Sequence, residues 1–156
     1  MFVQQRFKHI NVYCPMDVNK LLQALDDDRN EPLFNFTSKS IRDMTWTILQ
    51  ELHLSKEETQ TLFRKLNQYK YVDEMSDLKY GAFVRWIPID DPTNIHLTKG
   101  AIFCEMKITD AGVYCVCKNY GYQLRHFRIS MDTNLIFQKL TDQEHVLLSA
   151  LEHIAH

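Results

Sequence analysis

Cys115 and Cys117 stand one residue apart in VYCVCK, so on a strand both sulfurs point to the same side, roughly 7 Å apart. Paired thiols on one face raise the question of a metal, and the register of the hairpin decides whether a third sulfur joins them. If Asp110-Ala111 is a two-residue turn, Cys104 falls opposite Cys117 on the face of Cys115. If Asp110-Ala111-Gly112 is a three-residue loop with a bulge at Gly112, Cys104 faces away. The turn chemistry favours the bulge. The apolar pattern of Ile102, Cys104, Met106 and Ile108 against Val113, Cys115 and Cys117 favours the two-residue turn, and both registers stay open. A zinc knuckle needs a spacer of about two to four residues and a second Cys/His pair, which the chain does not offer at useful spacing. The thiols therefore read as small buried hydrophobes, with no metal and no cofactor.

The histidines (His9, His53, His96, His126, His145, His153, His156) are scattered, and none has an acidic or cysteine companion at ligand spacing. Asp90-Asp91 precedes Pro92 and reads as a turn. There is no glycine-rich phosphate loop and no nucleophile elbow, so no catalytic residue and no small-molecule substrate are assigned. The cations carry the stronger signal. Arg85, Lys118, Arg125, His126 and Arg128 are interleaved with Trp86, Tyr114, Tyr120, Tyr122 and Phe127. Cations beside exposed aromatics bind single strands by attracting phosphates and stacking bases. Against this, aromatics in a small β-structure serve a core, and alternating Arg/Gln positions serve a solvated face. Arg85, Lys118, Arg125, Arg128 and Tyr122 are the candidate contacts to a partner or to nucleic acid. For Arg85 the competing role is a structural ion pair with a carboxylate such as Asp90.

These residues depend on the segment Leu78–Lys139, where LKYGAFVRWIPI, LTKGAIFCEMKI, GVYCVCKN, YQLRHFRI and NLIFQK follow one another with Gly, Asp, Asn and Pro between them. Five strand-length runs rich in Val, Ile, Phe, Tyr and Trp predict a meandering antiparallel sheet that curls into a small barrel, with Trp86 filling its core. Helices flank it. Val18, Leu21, Leu22 and Leu25 recur at helical spacing over 16–26, and RFKHINVY (6–13) alternates like an edge strand. Asp26-Asp27-Asp28-Arg29-Asn30-Glu31-Pro32 reads as a polar linker and boundary. Ser40 with Asp43, and Ser55 with Glu58, mark the starts of two helices joined as an antiparallel hairpin at His53-Leu54. YKYVDEMSDL reads as a turn of chain approaching the sheet. Thr141 and Glu144 open a last helix carrying Val146, Leu147, Leu148, Leu151 and Ile154.

The expected class is α+β: a helical N-terminal lobe over 1–77, then a five-stranded antiparallel barrel with a C-terminal helix over 78–156. A formal charge of −2 excludes a strongly basic nucleic-acid binder, although residues 80–129 carry six Lys/Arg against four Asp/Glu. The opening MFVQQRFKHINVYC lacks the apolar core of a signal peptide, and no run approaches a membrane span. Four cysteines in 156 residues suit a reducing interior.

The text from Tyr71 to Leu151 resembles small proteins of nucleocytoplasmic large DNA viruses. Their pattern L-x-x-G-x-x-[IV]-R-[WY]-[IF] is carried here by Leu78, Gly81, Val84, Arg85, Trp86 and Ile87. The following L-x-x-G-[GA]-[IF] is carried by Leu97, Gly100, Ala101 and Ile102. The resemblance implies a viral origin and an SH3-like form for the barrel, and no activity. The resulting expectation is a non-enzymatic viral accessory or virion structural protein of the host cytoplasm or the virion, not secreted, acting through protein–protein contacts or self-association. The alternative is a nucleic-acid-binding module using the basic, aromatic face. Because the last helix is apolar over a broad stripe, Leu148 and Leu151 are the expected centre of an oligomer contact.

Overall fold

The computed structural model describes residues 18–119 and 121–155, so the strand expected over 6–13 lies outside the described residues. Contacts divide the chain into two compact units, 1–43 with 140–156, and 44–139. The boundary expected at 77/78 falls inside the second unit, and the C-terminal helix belongs with the N-terminal helices.

In the first unit, helix α1 (Val18–Asp26) is followed by a 3-10 helix (Asp28–Asn35). Asp27 caps it by accepting from the Arg29 amide at 3.0 Å. Leu33 and Asn30 are buried, and the Asn30 amide donates to Ala24 O at 2.9 Å. The acidic, proline-containing stretch read as a linker is thus part of a core. Helix α2 (Ser38–Gln50) begins before the expected Ser40, because Thr37 caps it: Thr37 Oγ1 accepts from the Ser40 amide at 3.0 Å, and Ser40 Oγ accepts from Thr37 N at 2.8 Å. Asp43 instead pairs with Lys39 at 2.9 Å on an exposed face. Helix α4 (Asp142–Ala155) starts with the expected exchange between Thr141 and Glu144, at 3.0 and 3.1 Å. Such caps contribute about 1 kcal/mol each. Leu21, Ala24, Leu33, Ile41, Leu147 and Leu148 meet in one cluster.

The second unit joins the rest of α2 to α3 (Lys56–Lys65) through a turn at His53, the one described non-glycine residue with positive φ (54°). Ser55 and Glu58 form the expected capping box. Six strands follow: β1 (Tyr69–Tyr71), β2 (Phe83–Pro88), β3 (Ala101–Thr109), β4 (Gly112–Lys118), β5 (His126–Ser130) and β6 (Asn134–Lys139). All ladders are antiparallel, in the order β1-β6-β2-β3-β4-β5.

This corrects the expected closed five-stranded barrel to an open six-stranded sheet. The five runs are strands, but β6 is occupied on both sides by β2 and β1, so it cannot also pair with β5. Tyr69–Tyr71, read as approach chain, extends the sheet as an edge, and β5 forms the other edge. Residues of β2 to β6 nevertheless meet in one cluster (Val84, Phe103, Cys115, Cys117, Ile129 and Ile136 among them), so the sheet curls round its own core without its edges pairing. Trp86 packs half-buried against that cluster, its ring 5.7 Å from Phe127. The opposite face is covered at the β1-β6-β2 end by the helical hairpin, where Leu49, Leu62 and Leu66 pack on Ile87 and Phe137.

Gly100 is where β3 can start beside β2. Its φ is +99°, and a Cβ there would lie 2.6 Å from both the Phe83 ring and Val84 O.

Candidate functional site

The ladder registers determine which side chains share a face, since directly opposed residues point the same way. Tyr69 opposes Lys139, and Tyr71 and Arg85 both oppose Phe137. Phe83, two residues from Arg85, opposes Ile102, which opposes Lys118, which in turn opposes His126. Val116 opposes both Glu105 and Arg128. Arg85, Lys118, Arg128 and Lys139 therefore lie on one face of the sheet, with Tyr69, Tyr114 and Lys107. Trp86 and Phe127, proposed from the sequence as companions of these cations, face the core on the other side.

The hairpin between β3 and β4 keeps this face consistent. Thr109 opposes Gly112, so Asp110-Ala111 is a two-residue turn, while Gly112 takes a φ of +132°. The extra residue sits further along: the register shifts between Phe103 and Glu105, leaving Cys104 as the bulge. Phe103, not Cys104, opposes Cys117. The expected face of Ile102, Cys104, Met106 and Ile108 is replaced by Ala101 and Phe103 before the bulge and Met106 after it, all in or against the core. The switch of parity turns Glu105 and Lys107 outward to stand with Lys118 and Arg128.

Among the described residues, the helical hairpin packs on the β1-β6-β2 end of this face, and no helix residue joins the β4 and β5 residues in a core cluster. The Arg128 guanidinium lies 5.4 Å from the centre of the Tyr114 ring, a cation–π arrangement that presents a flat surface. Lys118 is half-buried and Arg128 exposed. The connection between the two strands holds Arg125, whose amide donates to Asn119 Oδ1 at 2.8 Å, and the fully exposed Tyr122. Tyr120 lies outside the described residues. Glu105 is the nearby acid, 3.8 Å from Lys107 Nζ.

Arg85 stands at the other end, on β2. The expected pairing with Asp90 is absent: among the described residues Arg85 is in no ion pair, and its Nε donates to Thr98 O at 2.8 Å. Burial raises the pKa of the Tyr69 hydroxyl above its ordinary value, while the Arg85 guanidinium acts in the opposite direction. Arg85 lines a recess of about 350 Å³ together with Arg64, Lys65 and Lys139. The sequence reading missed these three. Arg64 and Lys65 looked like ordinary cations at a helix end, and only the β2–β6 pairing brings Lys139 near Arg85.

Cys115 and Cys117 are buried, and burial pushes their thiols from the ordinary 9.0 up to about 11 and about 12. Cys115 Sγ lies 3.6 Å from Met106 Sδ, and Cys104 Sγ 3.7 Å from Ile102 O. Among the described residues no group of three His, Cys, Asp or Glu could hold a metal ion. Leu148 is 1% exposed in the core of the first unit, and Leu151 packs against that core. Leu148 is thus buried within the first unit and offers no surface for the oligomer contact expected there, while Leu151 is half-buried and Ile154 is exposed. Among the described residues no helix is long and apolar enough to cross a membrane.

No protein-family model, no curated protein and no solved structure matches this chain.

Proposed function

We propose that the 44–139 unit is a binding module whose cation-bearing sheet face takes single-stranded nucleic acid. The observation that carries this reading is the register, which sets Arg85, Lys118 and Arg128 on one face although they stand on three different strands. Phosphates are attracted by these side chains, and bases have the Tyr114–Arg128 plane and the exposed Tyr122 to stack on. The net charge of −2 is compatible with this, because the acidic residues of 130–156 (Asp132, Asp142, Glu144 and Glu152) all lie outside the strands.

The test is fluorescence anisotropy of a labelled dT15 oligonucleotide with the full chain at several salt concentrations. Four cations (Arg85, Lys118, Arg125, Arg128) on phosphates give a log–log salt slope of about −3, and removing two of them in Lys118→Gln/Arg128→Gln makes it shallower by about 1.4. Binding that ignores both salt and this double substitution overturns the reading.

A second reading has its own support. Leu124 and Tyr122 are exposed next to β5, which among the described residues pairs on one side only, and the strand of a protein partner could add to its other side. Protein contact of that kind is what an accessory or structural role needs. It predicts association carried by main-chain pairing and apolar side chains, with little dependence on salt.

A further inference from the structure

We propose that the recess at the end of α3 is a subsite for the phosphorylated end of the bound strand, a phosphate monoester. This rests on the reading of the sheet face given above and adds a defined terminus to it.

Four cations converge there: Arg64 and Lys65 from the last turn of α3, Arg85 from β2 and Lys139 from the end of β6. Among the described residues none of the four is ion-paired with a carboxylate. The helix dipole gives Arg64 and Lys65 a structural reason to be at a C-terminus. It gives none for Arg85 and Lys139, which arrive from the sheet. The carbonyls of Leu62 and Arg64 are already taken by the amides of Leu66 and Asn67, so the helix end does not need these cations as caps. Gathering like charges in one recess is unfavourable unless an anion fills it.

The recess is also organised for a small polar group. The Arg85 Nε donates to Thr98 O at 2.8 Å, which leaves the terminal N–H groups of the guanidinium as donors at the recess that it lines. Asn67 and Tyr69 add neutral hydrogen-bonding groups to the lining. A monoester carries nearly two charges near neutral pH, where an internal diester carries one, so it matches four cations better.

The fold supplies the reason for an end rather than a through-running strand. On the β4–β5 part of the face Arg128 is exposed and Lys118 half-buried, whereas the β1-β6-β2 part is covered by α2 and α3 through Leu49, Leu62 and Leu66. A strand lying on Arg128 and Lys118 and continuing toward Arg85 crosses β3, about 10 Å across the strands, and then meets the end of α3. It terminates where the four cations stand.

The experiment compares dT15 with hydroxyl ends, with a 5′-phosphate and with a 3′-phosphate by anisotropy, for the full chain and for Lys139→Gln and Arg85→Gln. Lys139 is exposed, so its substitution leaves the fold intact even if loss of the Thr98 bond weakens Arg85→Gln. The expected result is at least fivefold tighter binding of one phosphorylated form than of the hydroxyl-ended oligonucleotide, a ratio reduced to less than twofold in Lys139→Gln. Equal binding of all three oligonucleotides overturns the subsite and leaves the sheet-face reading standing. A preference that survives both substitutions overturns its location. Failure of every oligonucleotide to bind overturns the subsite and the sheet-face reading together.

Discussion

Replacing Leu148 by glutamate is expected to destabilise the helical unit by roughly 4 kcal/mol or more, because it places a charge where no water or counter-ion reaches. Leu148 is 1% exposed and sits among Leu21, Ala24, Leu33, Ile41 and Leu147. Its helix is anchored at one end by the Thr141–Glu144 exchange and near the other by Glu152 Oε1, which accepts from the Ser38 amide at 2.8 Å. The Glu152–Ser38 bond ties α4 to the start of α2. Urea unfolding followed by circular dichroism should show loss of helix at much lower denaturant, while the 44–139 unit keeps its β signal. A Leu148→Glu chain as stable as the parent would mean that this stripe is exposed, and the oligomer contact would have to be considered again.

Gly100→Ala is expected to cost roughly 2–4 kcal/mol, a large effect for one methyl group. Two penalties add. The φ of +99° is strained for any residue with a Cβ, and the new carbon lies 2.6 Å from Val84 O, a backbone atom that a rotamer change cannot move. Phe83 can swing aside but the β2 carbonyl cannot, so β3 must separate from β2 at the Val84–Ala101 pair. Gly81, with φ +82° and open space around its Cβ position, carries only the first penalty and gives the control. Thermal melts of the two alanine variants should separate clearly, with Gly100→Ala the lower. Equal melting temperatures would show that the close approach at Gly100 is relieved at no cost.

Gly100 also shows what kind of information was legible in the chain. Glycines at strand starts, β-branched and aromatic runs, and the Ser55–Glu58 and Thr141–Glu144 spacings are local signals, and the structure carries them as read. The errors arise where a decision is made at long range. Tyr69-Lys70-Tyr71 is too short to declare itself a strand, yet it pairs with Lys139, Gln138 and Phe137 at the far end of the sheet. That pairing occupies the side of β6 that closure would have required. The Asp26–Pro32 stretch has linker composition, but Asn30 and Leu33 are buried by tertiary contacts that polarity alone cannot reveal. Thr37 displaced Ser40 as the cap because both residues are competent and only the preceding chain chooses between them.

The candidate site follows the same division. The residue types at Arg85, Lys118, Arg125, Arg128 and Tyr122 were visible, but their arrangement depended on one residue, Cys104. Strict alternation from Ile102 to Ile108 gives a single apolar face and places Glu105 and Lys107 opposite it throughout. The bulge breaks that alternation, keeping Ala101, Phe103 and Met106 all inward, so that Arg85 before it and Arg128 beyond it share a side. A bulge of this kind leaves no composition signal, because Cys is acceptable both in a core and at its margin. Arg64 and Lys65 at the end of α3, and Lys139 brought beside β2 by the β2–β6 pairing, were unremarkable in the sequence and line one recess with Arg85 only in the fold.

The central claim is that one sheet face, assembled by this register, receives a nucleic-acid strand. Amide chemical-shift mapping with unlabelled dT15 tests it most directly. The account predicts perturbations along β4 and β5 at Tyr114, Lys118 and Arg128, through 121–125, and at Arg85, with Leu21 and Leu148 of the helical unit unmoved. Perturbations confined to α4, or to residues around Trp86 and Phe127 with Lys118 and Arg128 unchanged, would contradict it.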